Sequence, residues 1–299
     1  MYLGNDPEYP TSYTRPPITI RVWPGDYGAP SVDPTSLIVL TVCKMHKVPV
    51  KIVPAFFPFL VDIPSIEERN LLIVDKEKIL DYVFQLCHEE SLLNARQRRK
   101  LRAYKQYFMQ HFGGPFYFDC WIHETNFTHA IETWFTRVIP FPFNLLYLHQ
   151  KRKLAQNEFN LVKRTSEADT FMSSKYEGAA VCLGDFDYLL KDDRKFLYKN
   201  IPTSLDAIVY SYLVIAMNMP LQNPKLQQFI YRHKWLVNYV HRITKEYFPN
   251  TSYQFQYVDP VYAPYDRVST KCLIIFGMCV TILMALYAHT NGIFKLKKD

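Results

Sequence analysis

Cysteine is scarce in this chain, and none of it is arranged for metal or disulfide chemistry. Cys43, Cys87, Cys120, Cys182, Cys272 and Cys279 include no CxxC pair, which argues against a zinc site or a disulfide framework and fits free thiols in a reducing compartment. Glycine is also sparse, nine in 299 residues, and no glycine-rich phosphate loop occurs; Gly113-Gly114 before Pro115 reads as a turn. The first seventeen residues lack an apolar run and carry Asp6, Glu8 and several prolines. That excludes a secretory signal or an Arg-rich presequence and leaves a flexible extension over 1–17. No histidine has a Cys or carboxylate partner at metal-ligand spacing. His123-Glu124 with His129 puts its imidazoles about 240° apart around a helix, whereas a zinc motif needs i and i+4 on one face. No metal site and no cofactor are expected.

The formal charge is +7, but 48% hydrophobic and 16% aromatic residues describe a filled core rather than a nucleic-acid-binding tail. The strongest basic run is Ala95-Arg-Gln-Arg-Arg-Lys-Leu-Arg-Ala-Tyr-Lys105. It reads as a solvated helix face or, with Arg96, Arg98, Arg99 and Arg102, as a dock for an acidic partner or anionic lipid head groups, with nucleic acid ranked below both.

One long apolar run is present, and it lies near the end. Cys272 to Ala288, CLIIFGMCVTILMALYA, contains no charge and is flanked by Arg267 and Lys271 before and Lys295, Lys297 and Lys298 after. As a helix it spans roughly 25 Å, enough for a thin membrane, with Gly277 tolerated because a helix satisfies its own backbone. A buried core helix would show a polar face, and none interrupts Cys272, Ile275, Gly277, Ile282 or Ala288. The expectation is a tail anchor over 271–290, a basic tail over 291–299 and a body facing the cytosol. The sequons at Asn126 and Asn250 would then never meet the glycosylating enzyme. The dilysine-like end would lie across the membrane from its reader, and the short span with basic flanks favours the mitochondrial outer membrane.

The body divides in two. Ile18 to Trp23 alternates as a strand, and Asp33 with Pro34 opens a helix to about His46. Val48 to Val53 and Leu71 to Val74 read as strands, Glu67 to Asn70 as a turn, and Asp75 caps a helix from Lys76 to about His88. This α/β unit occupies 18–90. From Ala95 the pattern is helical: 96–112, 127–139, 143 to about 164, 171–190, 203–217 and 223–247, an all-α unit over 91–249. Thr203 and Asp206 have the spacing of a capping box, with Asp in place of Glu. Residues 250–270, rich in Pro and Tyr, read as a linker.

A βαβ-ββα unit, a helical second domain and a late Thr-Ser-Leu-Asp box together resemble the glutathione-transferase fold, with a thioredoxin-like N-terminal domain. More specifically, Val22-Trp-Pro-Gly-Asp-Tyr-Gly-Ala-Pro-Ser-Val-Asp33, Cys120-Trp-Ile-His123, Ile139-Pro-Phe-Pro-Phe-Asn144 and Lys195-Phe-Leu-Tyr198 leading into Pro202 to Leu213 resemble the metaxin family, of the membrane-anchored type. The resemblance implies a mitochondrial outer-membrane protein associated with the sorting and assembly machinery that inserts β-barrel precursors. Its implied partners are a second metaxin-like subunit and the β-barrel core of that machinery. An adaptor role between mitochondria and motors, with motor adaptors as partners, is the alternative.

The fold also raises a glutathione-dependent enzyme, which needs a hydroxyl or thiol near the first helix to stabilise a thiolate. Ala29 stands before Pro30, and Tyr27 and Ser31 are the nearby substitutes. Pro64 matches the fold's cis-proline. Asp75 brings its own carboxylate to the helix end that would receive glutathione's. A degenerate site at Tyr27, Ala29, Ser31, Pro64 and Asp75, and no catalysis, is the expectation.

Overall fold

The computed structural model describes residues 18–69, 71–163, 168–191, 194–249 and 270–290. The extension expected at 1–17, the linker at 250–269, the tail with Lys295, Lys297 and Lys298, and the side chains of Lys271, Cys272 and Ile275 lie outside the described residues.

Strand β1, Ile18–Val22, buries Ile18, Ile20 and Val22 while Thr19 and Arg21 alternate to the half-covered face. Strand β2, Val50–Pro54, runs parallel to it with Ile52 opposite Ile20, so a crossover is required. Helix α1, Pro34–Met45, supplies that crossover, and the Asp33 carboxylate accepts from the Ser36 amide at 2.7 Å, as the sequence led us to expect. Strand β3, Ser65–Glu68, and strand β4, Leu71–Ile73, are antiparallel additions in the order β2-β1-β3-β4. Glu67 and Glu68 are therefore strand rather than turn. Glu67 faces Thr19 across the ladder and its carboxylate takes the Arg21 guanidinium at 2.8 Å, a cross-strand pair invisible in local sequence. The turn itself falls on Arg69, with φ 53°.

Helix α2, Lys76–Phe84, starts on its expected cap, Asp75, but ends before His88, which opens the single turn α3, His88–Ser91. Leu86 and Cys87 are pulled into the core there, and their amides turn to the carbonyls three residues back.

The second domain begins with α4, Ala95–Phe108, held by a reciprocal Asn94–Gln97 box. The turn expected at Gly113-Gly114-Pro115 does not form. The chain continues helically through a π turn, Met109–Gly113, then α5, Gly114–Tyr117, and a second π turn, Phe118–Ile122. Gly113 and Gly114 adopt φ −59° and −62°. Proline lacks an amide, and the wider π register absorbs the missing bond while Phe112, Pro115 and Phe116 reach the core. After a break at His123 follow α6, Glu124–Asn126, a π turn, Phe127–Glu132, and α7, Thr133–Val138. Next come α8, Phe143–Lys163, and α9, Ala168–Leu189.

Helix α10, Ser204–Asn218, is the axis of the molecule: every residue from Ser204 to Met217 is buried, and α1 of the first domain packs directly against it. The helix expected over 223–247 is two, α11, Lys225–Tyr231, and α12, Lys234–Tyr247. Asp187 of α9 explains the break, since its carboxylate accepts the Leu236 amide at 2.9 Å and lies 3.8 Å from the His233 imidazole, capping a new helix start. Leu236, Tyr239, Val240 and Ile243 then face inward at helical spacing.

Helix α13, Thr270–Thr290, forms over the run expected to anchor the chain. Among the described residues, however, no helix is long and apolar enough to cross a membrane.

Candidate functional site

A cavity of about 360 Å³ opens between the two domains, where β1 ends, α1 begins and α7 and α8 cross above them. Its placement follows from the sheet. Trp23 leaves β1 fully buried and meets Trp134 and Phe135 of α7 and Tyr147 of α8, with ring centroids 6.0, 5.2 and 5.7 Å away. This aromatic cluster joins the domains, each pair worth about 1 kcal/mol beyond its buried area.

The segment after Trp23 is a tight, self-bonded loop. The Ala29 amide donates to the Asp26 carbonyl at 2.9 Å, and Tyr27 and Gly28 sit at φ 52° and 72°. A side chain at Gly25 would meet the Ala29 and Pro30 carbonyl oxygens at 2.5 and 2.8 Å, so glycine is required there. Arg137 of α7 clamps the loop by donating to the Asp26 carboxylate at 2.7 Å.

Of the five positions read as a degenerate glutathione site, Tyr27 and Pro64 line the cavity, and Ala29, Ser31 and Asp75 are not among its lining residues. Ala29 is buried and has no functional group to offer. Ser31 is fully buried, donates to the Trp23 carbonyl at 2.8 Å and accepts from the Asp33 amide at 3.3 Å, so its hydroxyl is engaged in holding the loop. Tyr27 lines the cavity, but burial and the Asp26 carboxylate raise its phenol pKa, with Arg137 opposing. The Ile63–Pro64 bond is cis, and both residues line the cavity. At the start of α2 the Asp75 carboxylate accepts from the Lys78 amide at 3.0 Å. Asp33 does the same at α1, taking both the amide and the hydroxyl of Ser36. Each helix end that an anion would approach already carries a carboxylate.

The thiols are equally quiet. Cys43, Cys87, Cys120 and Cys182 are buried and not in disulfides, and burial pushes Cys43 and Cys182 up to about 12. Among the described residues no three His, Cys, Asp or Glu side chains gather as a metal site. His123 instead caps α6 and pairs through Nε2 with Asn223 at 3.1 Å, while His129 is exposed.

Away from the cavity, Arg96, Arg98, Arg99 and Arg102 are exposed on one side of α4 with no ion pair among the described residues. Lys105 of the same run turns inward: its ammonium donates to the Ser204 hydroxyl at 2.7 Å, and burial lowers its pKa. The Trp23–Trp134–Phe135–Tyr147 cluster and the Asp26–Arg137 pair were not found from sequence. The latter partners are 111 residues apart, and no local pattern connects them.

These features define a protein of glutathione-transferase-like fold. Residues 179–243 match the family model of the glutathione S-transferase C-terminal domain. A glutathione transferase, GSTFuA3 from Phanerochaete chrysosporium, superposes with a TM-score of 0.52 at 13% identity, covering 78% of this chain and 98% of its own. GSTFuA2 from the same fungus gives 0.51 at 14% identity, covering 77% and 98%.

Within that fold the chain is similar to metaxins over most of its length. Residues 36–152 match the family model described as an outer mitochondrial membrane transport complex protein. The metaxin-1 homolog of Caenorhabditis briggsae is 28% identical over 246 residues, 77% of this chain and 74% of that protein. Metaxin-3 of Danio rerio is 26% identical, over 79% and 77%, and human metaxin-1 is 26% identical, over 78% of this chain and 52% of the relative.

Proposed function

We propose that this chain is a non-catalytic subunit of a transport complex at the mitochondrial outer membrane, where it takes part in the import and assembly of β-barrel proteins. The observation that carries this reading is the match of residues 36–152 to a transport-complex family. The fold's chemistry agrees with it, since Ala29 offers no thiolate partner and the Ser31 hydroxyl is spent on the Trp23 carbonyl.

In this reading α13 is the tail anchor and the body faces the cytosol. Twenty-one helical residues extend about 31 Å. Met278, Ile282, Leu283, Met284, Leu286 and Tyr287 are each more than half exposed and fall on every face of that helix. Apolar side chains exposed all round suit lipid rather than water. The partners are a second metaxin-like subunit and the β-barrel core of the sorting and assembly machinery. The Arg96, Arg98, Arg99 and Arg102 face is the dock offered to an acidic partner.

Depletion with pulse-labelled import tests the proposal. Newly inserted barrels such as the voltage-dependent anion channel should fall before matrix import does. Normal barrel insertion with mitochondria misdistributed along microtubules would replace this reading by the motor-adaptor one.

A further inference from the structure

The start of α8 and the loop before β3 leave a group of large apolar side chains in the open. The chain turns tightly into α8: the Phe143 amide donates to the Pro140 carbonyl at 3.0 Å, and the Leu145 amide to the Asn144 side-chain oxygen at 2.8 Å. Asn144, Tyr147 and Leu148 then face the core, so the helix period turns Leu145, Leu146, His149 and Lys153 outward within about 100° of its circumference. Phe141, at the tip of the turn, is 77% exposed, and Leu145 and Leu146 are each more than half exposed. Phe59 and Leu60 of the first domain extend the patch, because the Phe59 ring lies 5.5 Å from that of Phe143. Single exposed leucines are ordinary, but a contiguous apolar cluster marks an interaction site.

The charges beside it select the partner. From Ile139 to Asn157 the sequence contains no Asp or Glu, and it carries Lys151, Arg152 and Lys153. Arg152 is paired with Glu124, and the Lys151 ammonium lies 5.7 Å from the centroid of the Tyr147 ring. Lys153 is exposed and has no partner among the described residues. Asp62, at the cavity mouth beyond Leu60, ends the patch on that side. The core of a protein interface is depleted in lysine, whereas an apolar tip with cations behind it suits a segment lying among lipid head groups.

We propose that this tip is a lipid-docking surface: Phe141, Leu145 and Leu146 enter the boundary between head groups and acyl chains of an anionic bilayer, and Lys153 meets the head-group phosphates. The inference rests on the reading of α13 as the anchor, which keeps a bilayer within reach, since the twenty residues 250–269 span at most about 70 Å. Because the patch draws on a loop of the first domain and a helix of the second, docking orients the whole body on the membrane.

The test uses the full chain in nanodiscs of phosphatidylcholine with 30% phosphatidylglycerol, carrying Cys272→Ala and Cys279→Ala. A nitroxide is attached in turn at Phe141→Cys, Leu145→Cys, Met278→Cys in α13, and the exposed Tyr188→Cys of α9. Labels at 141 and 145 should relax with oxygen more than with a nickel chelate, as in lipid, and the label at 188 should do the reverse. Lys153→Gln should shift the 141 label about fivefold toward its undocked spectrum in these discs and leave it unchanged in phosphatidylcholine alone. Chelate access at 141 and 145 equal to that at 188, shielding of both from oxygen and chelate alike as in a protein contact, or an equal effect of Lys153→Gln in the two lipids would overturn the proposal. The label at 278 judges the anchor separately: if it is open to the chelate, the anchor reading fails, and 141 and 145 still decide docking on added vesicles of the same lipids.

Discussion

Replacing Asp206 should destabilise the protein more than any surface change, because this carboxylate joins three parts of the core. It is fully buried and accepts from the Thr203 amide at 3.0 Å, the Thr203 hydroxyl at 2.8 Å, the Leu197 amide at 2.8 Å and the Tyr239 hydroxyl at 3.1 Å. Burial pushes its pKa up and the four donors pull it back, leaving it at about 6, so at pH 7.5 it is ionised. Asp206→Ala orphans two buried amides, at about 1–3 kcal/mol each, while Tyr239 keeps the Asp206 carbonyl at 3.2 Å. The loss of the cap adds about 1 kcal/mol, giving about 3–7 kcal/mol in all. Asp206→Asn keeps an acceptor for Leu197 and Tyr239 but turns an NH2 toward the Thr203 amide. One orphan should cost about 1–3 kcal/mol. Urea unfolding of the full chain at pH 7.5 in mild detergent, followed by tryptophan fluorescence, measures both. An alanine cost below about 1 kcal/mol, or equal costs for the two variants, would refute the accounting.

Four further outcomes are expected. Deleting 271–299 should release the chain from membranes, and Ile282→Arg should cost about 3 kcal/mol of insertion and impair residence; carbonate extraction decides, and undiminished residence would remove α13 as the anchor. Glutathione should not bind appreciably, so submillimolar binding by calorimetry, with conjugation lost in Tyr27→Phe or Ser31→Ala, would restore the enzyme reading. Reversing Arg96, Arg98, Arg99 and Arg102 together should weaken partner recovery from gentle detergent, whereas unchanged recovery would make that face merely solvated. Finally, burial pushes Asp119 up to about 6, above its unfolded value near 3.9, although the Tyr176 hydroxyl bonds it. The folded state then holds the extra proton, so this group's contribution to stability is full below about pH 4 and falls by about 3 kcal/mol as pH rises through 6. Asp119→Asn should flatten that slope in urea titrations at pH 4.5 and 7.5, and an unchanged slope would contradict it.

The local grammar of the chain was legible before any coordinates. Asp33 with Pro34, Asp75, and Thr203 with Asp206 started helices where they were expected, because a cap is a contact across three residues and needs no tertiary partner. The alternation of Ile18, Ile20 and Val22 fixed the first strand in the same way. The Gly113-Gly114-Pro115 helix, the break between α11 and α12, and strand β3 were not legible. Each depends on a distant group: the core under Phe112 and Phe116, the Asp187 carboxylate, and the Arg21 guanidinium.

The candidate site divides along the same line. Sequence alone determined which groups are missing from it, since Ala29 can activate no thiol wherever it lies. Only the tertiary structure decided that the Ser31 hydroxyl is already taken and that Arg137 clamps Asp26. It also decided that Trp134, Tyr147 and Tyr212, from three different helices, line one cavity. The physical reason is range: propensity and capping act within a turn or two, whereas a cavity is defined by side chains that meet only after both domains have packed on α10.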